Sequence, residues 1–319
     1  MRIIFVPQFP SEMRYQEWWY TEFPKQFKAH GFEVLTLGEK YLDVIKHRRS
    51  TLDMFSPINQ AIEFETEQIR EYMLLDIQDD DILFLADLSF PGFFANALYH
   101  KRCNKMYAFC HATSLNYRDY FKKVRLSKFP VERSHATMFN KVFVGSHYHK
   151  EKLCWKNTMV TYLPFPPMRP FKGRPGIDDV SRDIDVVSAS RPSPQKVDSD
   201  LESFIEKEMD IEIFRFVTFD WYNYYRELSR CKVLLITAFE DTFGYQIVDA
   251  IMNNCIPIAR NSLAYPELLE REYLYDNDYE LLGKLELLTN LDTPPPVPKL
   301  LCQEQMNKFY DVICEEMKG

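Results

Sequence analysis

The stretch from Cys231 to Tyr275 constrains the fold most. It reads CKVLLITAFEDTFGYQIVDAIMNNCIPIARNSLAYPELLEREYLY. Lys232 to Thr237 is a short, β-branched apolar run of the kind a buried strand needs. A polar loop with one glycine follows, from Ala238 to Gly244. Ile247, Ala250 and Ile251 then recur at helical spacing, with Asp249 beside them. Asn253-Asn254 stops that helix, and Ile256-Pro257-Ile258-Ala259 reads as the next strand. A second polar loop leads into Tyr265-Pro266-Glu267-Leu268-Leu269. Strand, acidic loop, helix, strand, loop is the repeating unit of a parallel sheet. It sets two loops at the carboxyl ends of adjacent strands, where open α/β sheets bind ligands.

The same alternation runs through the rest of the chain. Residues 2–6 form a first strand, Pro7 to Arg14 a loop, and Tyr15 to His30 a helix closed by Gly31. Phe32 to Leu35 starts a second strand. Ile58 to Leu75 has the pattern of a long amphipathic helix with an acidic outer face of Glu63, Glu65, Glu67 and Glu71. Asp79-Asp80-Asp81 is a turn before the strand Ile82–Ala86. Phe90-Pro91-Gly92 turns into a helix over Phe93–Arg102. Met106–Cys110 and Val142–Val144 are further strands. Pro164 to Pro175 has the composition of a linker, and Asp183–Ser188 opens a second series of strands that includes Ile211–Val217. Phe219 to Ser229 is an aromatic-rich helix, Pro294–Pro298 breaks the chain, and Lys299–Met317 reads as a final helix. The expected division is residues 1–165, 166–298 and a last helix over 299–319 that returns to the first domain.

Length and composition narrow the function classes. A chain of 319 residues holds two domains with large cores. At 46% hydrophobic and 27% charged it has an ordinary globular composition. No apolar run approaches the ~20 residues of a membrane span, and the first strand meets Pro7 too soon for a signal peptide. Seven cysteines without a CxxC pair read as free thiols of a cytoplasmic protein. The net charge of −8 conceals a basic block, with thirteen Lys/Arg against three acidic residues from Lys101 to Lys156. Tyr107, Tyr117, Tyr120, Phe121, Phe129 and Tyr148 are interleaved with those cations. Either this is a nucleic-acid surface, with Lys122, Lys123, Arg125 and Tyr120 as contacts, or the cations are a solvated face and the rings are core. His147-x-His149 and Cys154 are not expected to hold a metal, because side chains two apart diverge at a helix start. There is no Walker motif and no GxGxxG.

The Cys231–Tyr275 stretch resembles the donor-binding half of retaining glycosyltransferases of family 4. These have an acidic residue, a Phe-Gly pair and a second acid eight positions after the first. Asp241, Phe243-Gly244 and Asp249 stand at that spacing. Asn261–Glu267 and Glu272–Tyr275 look closer still to tRNA-queuosine mannosyltransferases and to glycosyltransferases of large DNA phages. The resemblance implies an α/β fold of the GT-B type, two Rossmann-like doubly wound domains with a cleft between them. It implies a nucleotide sugar, UDP- or GDP-linked, as donor and no cofactor or metal. Arg191 and Lys196, five apart after a second-domain strand and preceded by Ser190, then match the family's diphosphate-binding pair, whose cations stabilise charge on the leaving group.

By the same resemblance, Asp241 or its neighbour Glu240 holds the donor sugar and Asp249 holds the ribose, although the family has Glu at both acidic positions. The amides of Phe243, Gly244 and Tyr245 open a helix suited to a phosphate or sugar oxygen. His111, ending a first-domain strand, matches a family histidine that faces the donor sugar; its other reading is a buried, hydrogen-bonded side chain. Glu267 reads as a helix cap. The first loop, PQFPSEMRY, lacks the family's glycines. The expected acceptor is a hydroxymethylated pyrimidine in phage DNA. The alternatives are a tRNA base, a glycan or a small molecule, and a GT-like protein that binds nucleotides without turnover.

Overall fold

The computed structural model describes residues 1–11, 14–47, 58–116, 123–166, 181–190, 193–215, 220–290 and 296–319. The chain divides into two units. Unit 1 is Met1–Gly145, Lys150–Pro166 and Asn307–Gly319, and unit 2 is Ser146–His149 and Pro167–Met306.

Unit 1 is built on six parallel strands: β1 (Arg2–Val6), β2 (Glu33–Thr36), β3 (Ile82–Leu85), β4 (Lys105–Cys110), β5 (Lys141–Val144) and β6 (Thr158–Val160), in the order β2-β1-β3-β4-β5-β6. Ile3 of β1 stands opposite Ile82 of β3, and Phe5 opposite Phe84. Ile3, Ile4, Phe5, Ile82, Leu83 and Phe84 are all fully buried. Continuous apolar runs of this kind are what a parallel strand covered on both faces requires. The chain steps from β1 outward to β2 and then back across to β3, so the ends of β1 and β3 flank a topological switch point.

The helices of this unit are α1 (Tyr15–Ala29), α2 (Leu42–His47), α3 (Ile58–Leu74), α4 (Phe94–Ala97), α5 (Arg125–Ala136) and α6 (His147–Leu153), whose first turn is grouped with unit 2. Aromatic rings cluster between α1 and one face of the sheet. Trp19 of α1 meets Phe109 with ring centroids 5.2 Å apart, and Phe23 meets Phe84 at the same separation. The end of the chain completes this core, since Phe309 packs 5.8 Å from Phe23 and the Tyr107 hydroxyl donates to the Glu316 carbonyl at 3.1 Å.

Unit 2 carries four parallel strands, β7 (Ile184–Val187), β8 (Cys231–Ile236), β9 (Ile256–Arg260) and β10 (Leu274–Tyr275), in the order β10-β9-β8-β7. Its helices are α7 (Ser199–Met209), α8 (Trp221–Ser229), α9 (Tyr245–Met252), α10 (Asp278–Thr289) and α11 (Gln303–Asn307, up to Met306), while α12 (Phe309–Lys318) belongs to unit 1. Three of these helices start on side-chain caps: Asp198 accepts from Leu201 N, Asp220 from Asn223 N and Asn277 from Glu280 N.

Several expectations are corrected. Glu65 is buried, not on an acidic outer face. The helix after Gly92 lasts only from Phe94 to Ala97. Ile211–Arg215 makes a single parallel bridge, Phe214 with Val187, in place of a strand. The final helix is broken at Lys308 into α11 and α12. Tyr107 of the basic block is a core residue, 4% exposed. Lys101 is bound to backbone carbonyls of Met73 and Leu75, Arg102 to that of Met138, and Lys152 to Asn116. Lys123 and Arg125 are exposed. Tyr117, Tyr120, Phe121 and Lys122 lie outside the described residues.

Candidate functional site

In unit 2 the candidate residues gather where β8 ends. The loop 237–244 is tied to the turn that follows β7: Phe239 N and Glu240 N both donate to the Gln195 carbonyl, at 3.0 and 3.2 Å. That tie brings Lys196 to the acidic loop. Its ammonium donates to Asp241 Oδ2 at 2.9 Å and to the Glu240 carbonyl at 3.0 Å. The pair is half-buried, 20% and 16% exposed, so it keeps more Coulomb attraction than a surface pair and still meets solvent. The other oxygen of Asp241 accepts from Phe243 N at 3.3 Å. Ser190 Oγ and the Gln246 amide lie 3.0 Å apart, which links the end of β7 to the first turn of α9. Arg191 lies outside the described residues.

Gly244 occupies the N-cap of α9 with φ 106°. A Cβ there would come within 3.0 Å of the Tyr265 ring and 3.2 Å of Leu268. Positive φ and this close approach both call for glycine. Gly244→Ala is expected to destabilise the protein by about 2–4 kcal/mol, from left-handed strain plus overpacking. Urea unfolding checks this, and an unchanged midpoint would remove the strain account.

Asp249, one turn into α9, is 8% exposed. It accepts from the hydroxyls of Tyr225 at 3.2 Å and Tyr224 at 3.4 Å, both on α8. Burial pushes its carboxyl up to about 7, and the two phenols pull it the other way. Its ring partners were not legible as such: the sequence marks Trp221–Tyr225 only as aromatic, and the pairing needs α8 and α9 packed side by side. Glu240 is buried, 6% exposed. Glu267 caps a helix, though not the one that follows it. Its two carboxylate oxygens accept from His147 N at 2.8 Å and Tyr148 N at 2.7 Å, at the start of α6.

In unit 1, His111 follows β4 and is 8% exposed. Its ring lies 4.2 Å from Tyr15, 4.4 Å from Trp19 and 4.7 Å from Phe109, centroid to centroid. The backbone N–H of His111 donates to Asp87, a residue the sequence reading passed over. Among the described residues no group of three His, Cys, Asp or Glu is placed to hold a metal ion, and no helix is long and apolar enough to cross a membrane.

No family model matches the chain. It is similar to a tRNA-queuosine alpha-mannosyltransferase of Drosophila melanogaster, 29% identical over 93 residues. Those residues are 29% of this chain and 24% of that protein, so the match spans about a quarter of the relative. Among solved structures the chain is similar to a trehalose-6-phosphate protein from E. coli bound with UDP-2-fluoro glucose. There the TM-score is 0.62 at 12% identity, covering 100% of this chain and 99% of that one. It is also similar to the lipopolysaccharide outer core galactosyltransferase WaaB, with TM-score 0.57 at 12% identity over 100% and 98% of the two chains. The fold is the parallel α/β GT-B architecture of glycosyltransferases.

Proposed function

We propose that the chain is a glycosyltransferase that moves a sugar from a nucleotide sugar, a UDP-sugar in the first instance, to a hydroxyl of a nucleic-acid base. The observation that carries this reading is the Lys196–Asp241 pair, 2.9 Å apart beside Gly244 at the carboxyl end of β8. A cation and an acid held together at a helix start match the two demands of the reaction. The departing diphosphate gathers negative charge, which an ammonium stabilises. The donor sugar offers hydroxyls, which a carboxylate accepts.

In this reading Lys196 and Arg191 hold the diphosphate, and Ser190 with the amides of Phe243, Gly244 and Tyr245 complete that cradle. Asp241 or Glu240 orients the sugar and Asp249 orients the ribose. Transfer proceeds with retention: the bond from the anomeric carbon to the phosphate oxygen breaks, the bond to the acceptor oxygen forms on the same face, and the acceptor proton passes to the departing phosphate. The acceptor reading has two forms. A hydroxymethylated pyrimidine in DNA follows from the sequence resemblance, with Lys122, Lys123, Arg125 and Tyr120 as contacts. A tRNA base is favoured by the name of the curated relative.

The test mixes purified protein with UDP- and GDP-sugars and with hydroxymethylcytosine DNA or queuosine-containing tRNA, and reads product nucleosides by mass spectrometry. A hexose or pentose increment on one of them supports transfer and identifies the acceptor. Release of free nucleoside diphosphate without an increment discards the nucleic-acid acceptor and keeps the donor chemistry. Tight nucleotide binding with neither signal replaces the reading with a non-catalytic binding protein.

A further inference from the structure

We propose that Tyr225, assisted by Tyr224, is a positioning residue for the nucleotide: the two phenols fix the Asp249 carboxylate so that it selects a ribonucleotide over its deoxy forms. The proposal rests on the reading that Asp249 orients the ribose, and it gives a task to α8, which that reading leaves without one.

The geometry is a bracket. Tyr225 donates to Asp249 Oδ1 at 3.2 Å and Tyr224 to Oδ2 at 3.4 Å, so neighbouring residues of one helix take one oxygen each. The terminal torsion of an aspartate is broad and two-fold. One donor would leave the carboxyl able to swing, whereas a donor on each oxygen fixes its plane. The phenol rings are themselves held. Trp221, one turn earlier, stacks on Tyr225 with centroids 5.7 Å apart and planes 19° apart, and meets Tyr224 edge-on at 5.8 Å. Asp220 caps the helix, accepting from Asn223 N at 2.8 Å and from its Nδ2 at 2.7 Å. On the other side of the bracket, Asn253 Nδ2 donates to the Asp249 carbonyl at 2.7 Å, and Gln246 ties the first turn of α9 to Ser190.

The partners are neutral donors. Among the described residues, the groups acting on the Asp249 carboxyl are these two phenols, and no lysine or arginine. A cation would quench the charge, while a phenol takes one lone pair and leaves the charge in place. A carboxylate can accept at about four positions, so two phenols do not exhaust it. The 2′- and 3′-hydroxyls of a ribose are adjacent donors that suit a carboxylate of fixed plane. Nor is the bracket sealed in the core, since Tyr224 and Tyr225 are half-buried. Burial pushes the Asp249 carboxyl up to about 7. The fold thus keeps an acid where an amide would be more stable near neutral pH, a trade characteristic of binding sites.

The probes are UDP and 2′,3′-dideoxyuridine diphosphate, titrated calorimetrically into the full chain at pH 8 with no acceptor; GDP and its dideoxy form are a parallel pair. The wild type is expected to bind the ribonucleotide about tenfold more tightly than the dideoxy form, or better. Tyr225→Phe should weaken the ribonucleotide about fivefold and leave the dideoxy form within about twofold, so the preference falls. Asp249→Asn should abolish the preference, and Tyr225→Phe added to it should change nothing further, because a positioning residue acts only through the group it positions. Circular dichroism checks the fold of each variant, and Tyr224→Phe carries the same test if Tyr225→Phe misfolds. A purely structural role would weaken both nucleotides alike, and that result would overturn the proposal. So would an undiminished preference in Tyr225→Phe, which would leave the donor site standing. If the wild type binds neither pair, the donor reading itself fails and this proposal with it.

Discussion

Lys196→Ala is expected to lower sugar transfer, or donor hydrolysis, by about 10²–10³-fold while leaving the protein folded. The ammonium lies on a turn, is 20% exposed and spans the Glu240 carbonyl and the Asp241 carboxylate, so its removal opens no cavity in a core. In the proposed reaction the charge that builds on a departing diphosphate loses its partner, and that loss is expected to fall on kcat more than on KM. Lys196→Arg separates two accounts. If the cation acts on the diphosphate, arginine restores a substantial part of the rate. If Lys196 serves only to hold Asp241 in place, the two variants should differ little in KM for the donor and Asp241→Asn should reproduce the loss. A Lys196→Ala protein with wild-type turnover would end the donor-site assignment.

The second large effect is on stability against pH. Burial raises the carboxyls of Glu65, Asp87 and Asp249 to about 7. In an unfolded chain these groups ionise near 4. Below about pH 4 both states carry the proton and nothing is lost. Between about 4 and 7 the unfolded chain gives up protons that the native state keeps, so stability falls as pH rises through that window and levels off above it. Acids held by partners act the other way: arginine and lysine neighbours lower Glu280 to about 2, and its contribution disappears only in stronger acid.

The melting temperature should accordingly be higher at pH 5 than at pH 8. Asp249→Asn should gain on the order of 1–3 kcal/mol relative to wild type at pH 8 and nothing at pH 4. Thermal melts of the two proteins across pH 4–8 check this. Parallel curves would show that Asp249 is solvated well enough to ionise normally.

The parts of the architecture set by local chemistry were legible. Apolar runs gave β1, β3, β8 and β9, and the spacing of Asp241, Phe243-Gly244 and Asp249 marked the loop whose Asp241 carboxylate pairs with Lys196. What failed did so for tertiary reasons, with one exception. Residues 211–217 have strand composition, but among the described residues 211–215 Phe214 makes a lone bridge, to Val187, the last residue of β7. The tyrosines on Asp249 come from a separate helix.

Glu65 is the exception. Glu63, Glu67 and Glu71 recur every four residues and share one face, but a residue two positions from Glu63 and two from Glu67 points to the other side of a helix. The pattern therefore already placed Glu65 inward, and reading four acids as one face concealed it.

The packing of α12 against Trp19, Phe23 and Phe109 has a consequence for how the chain is made. Unit 1 is discontinuous in sequence, and its aromatic core waits for Phe309 and Ile313, which the ribosome delivers after all of unit 2. Synthesis order and folding order thus differ: unit 2, though encoded later than most of unit 1, can close its own sheet first. Until α12 emerges, the face of the six-stranded sheet that it covers stays open, a greasy surface that nascent-chain chaperones would have reason to hold.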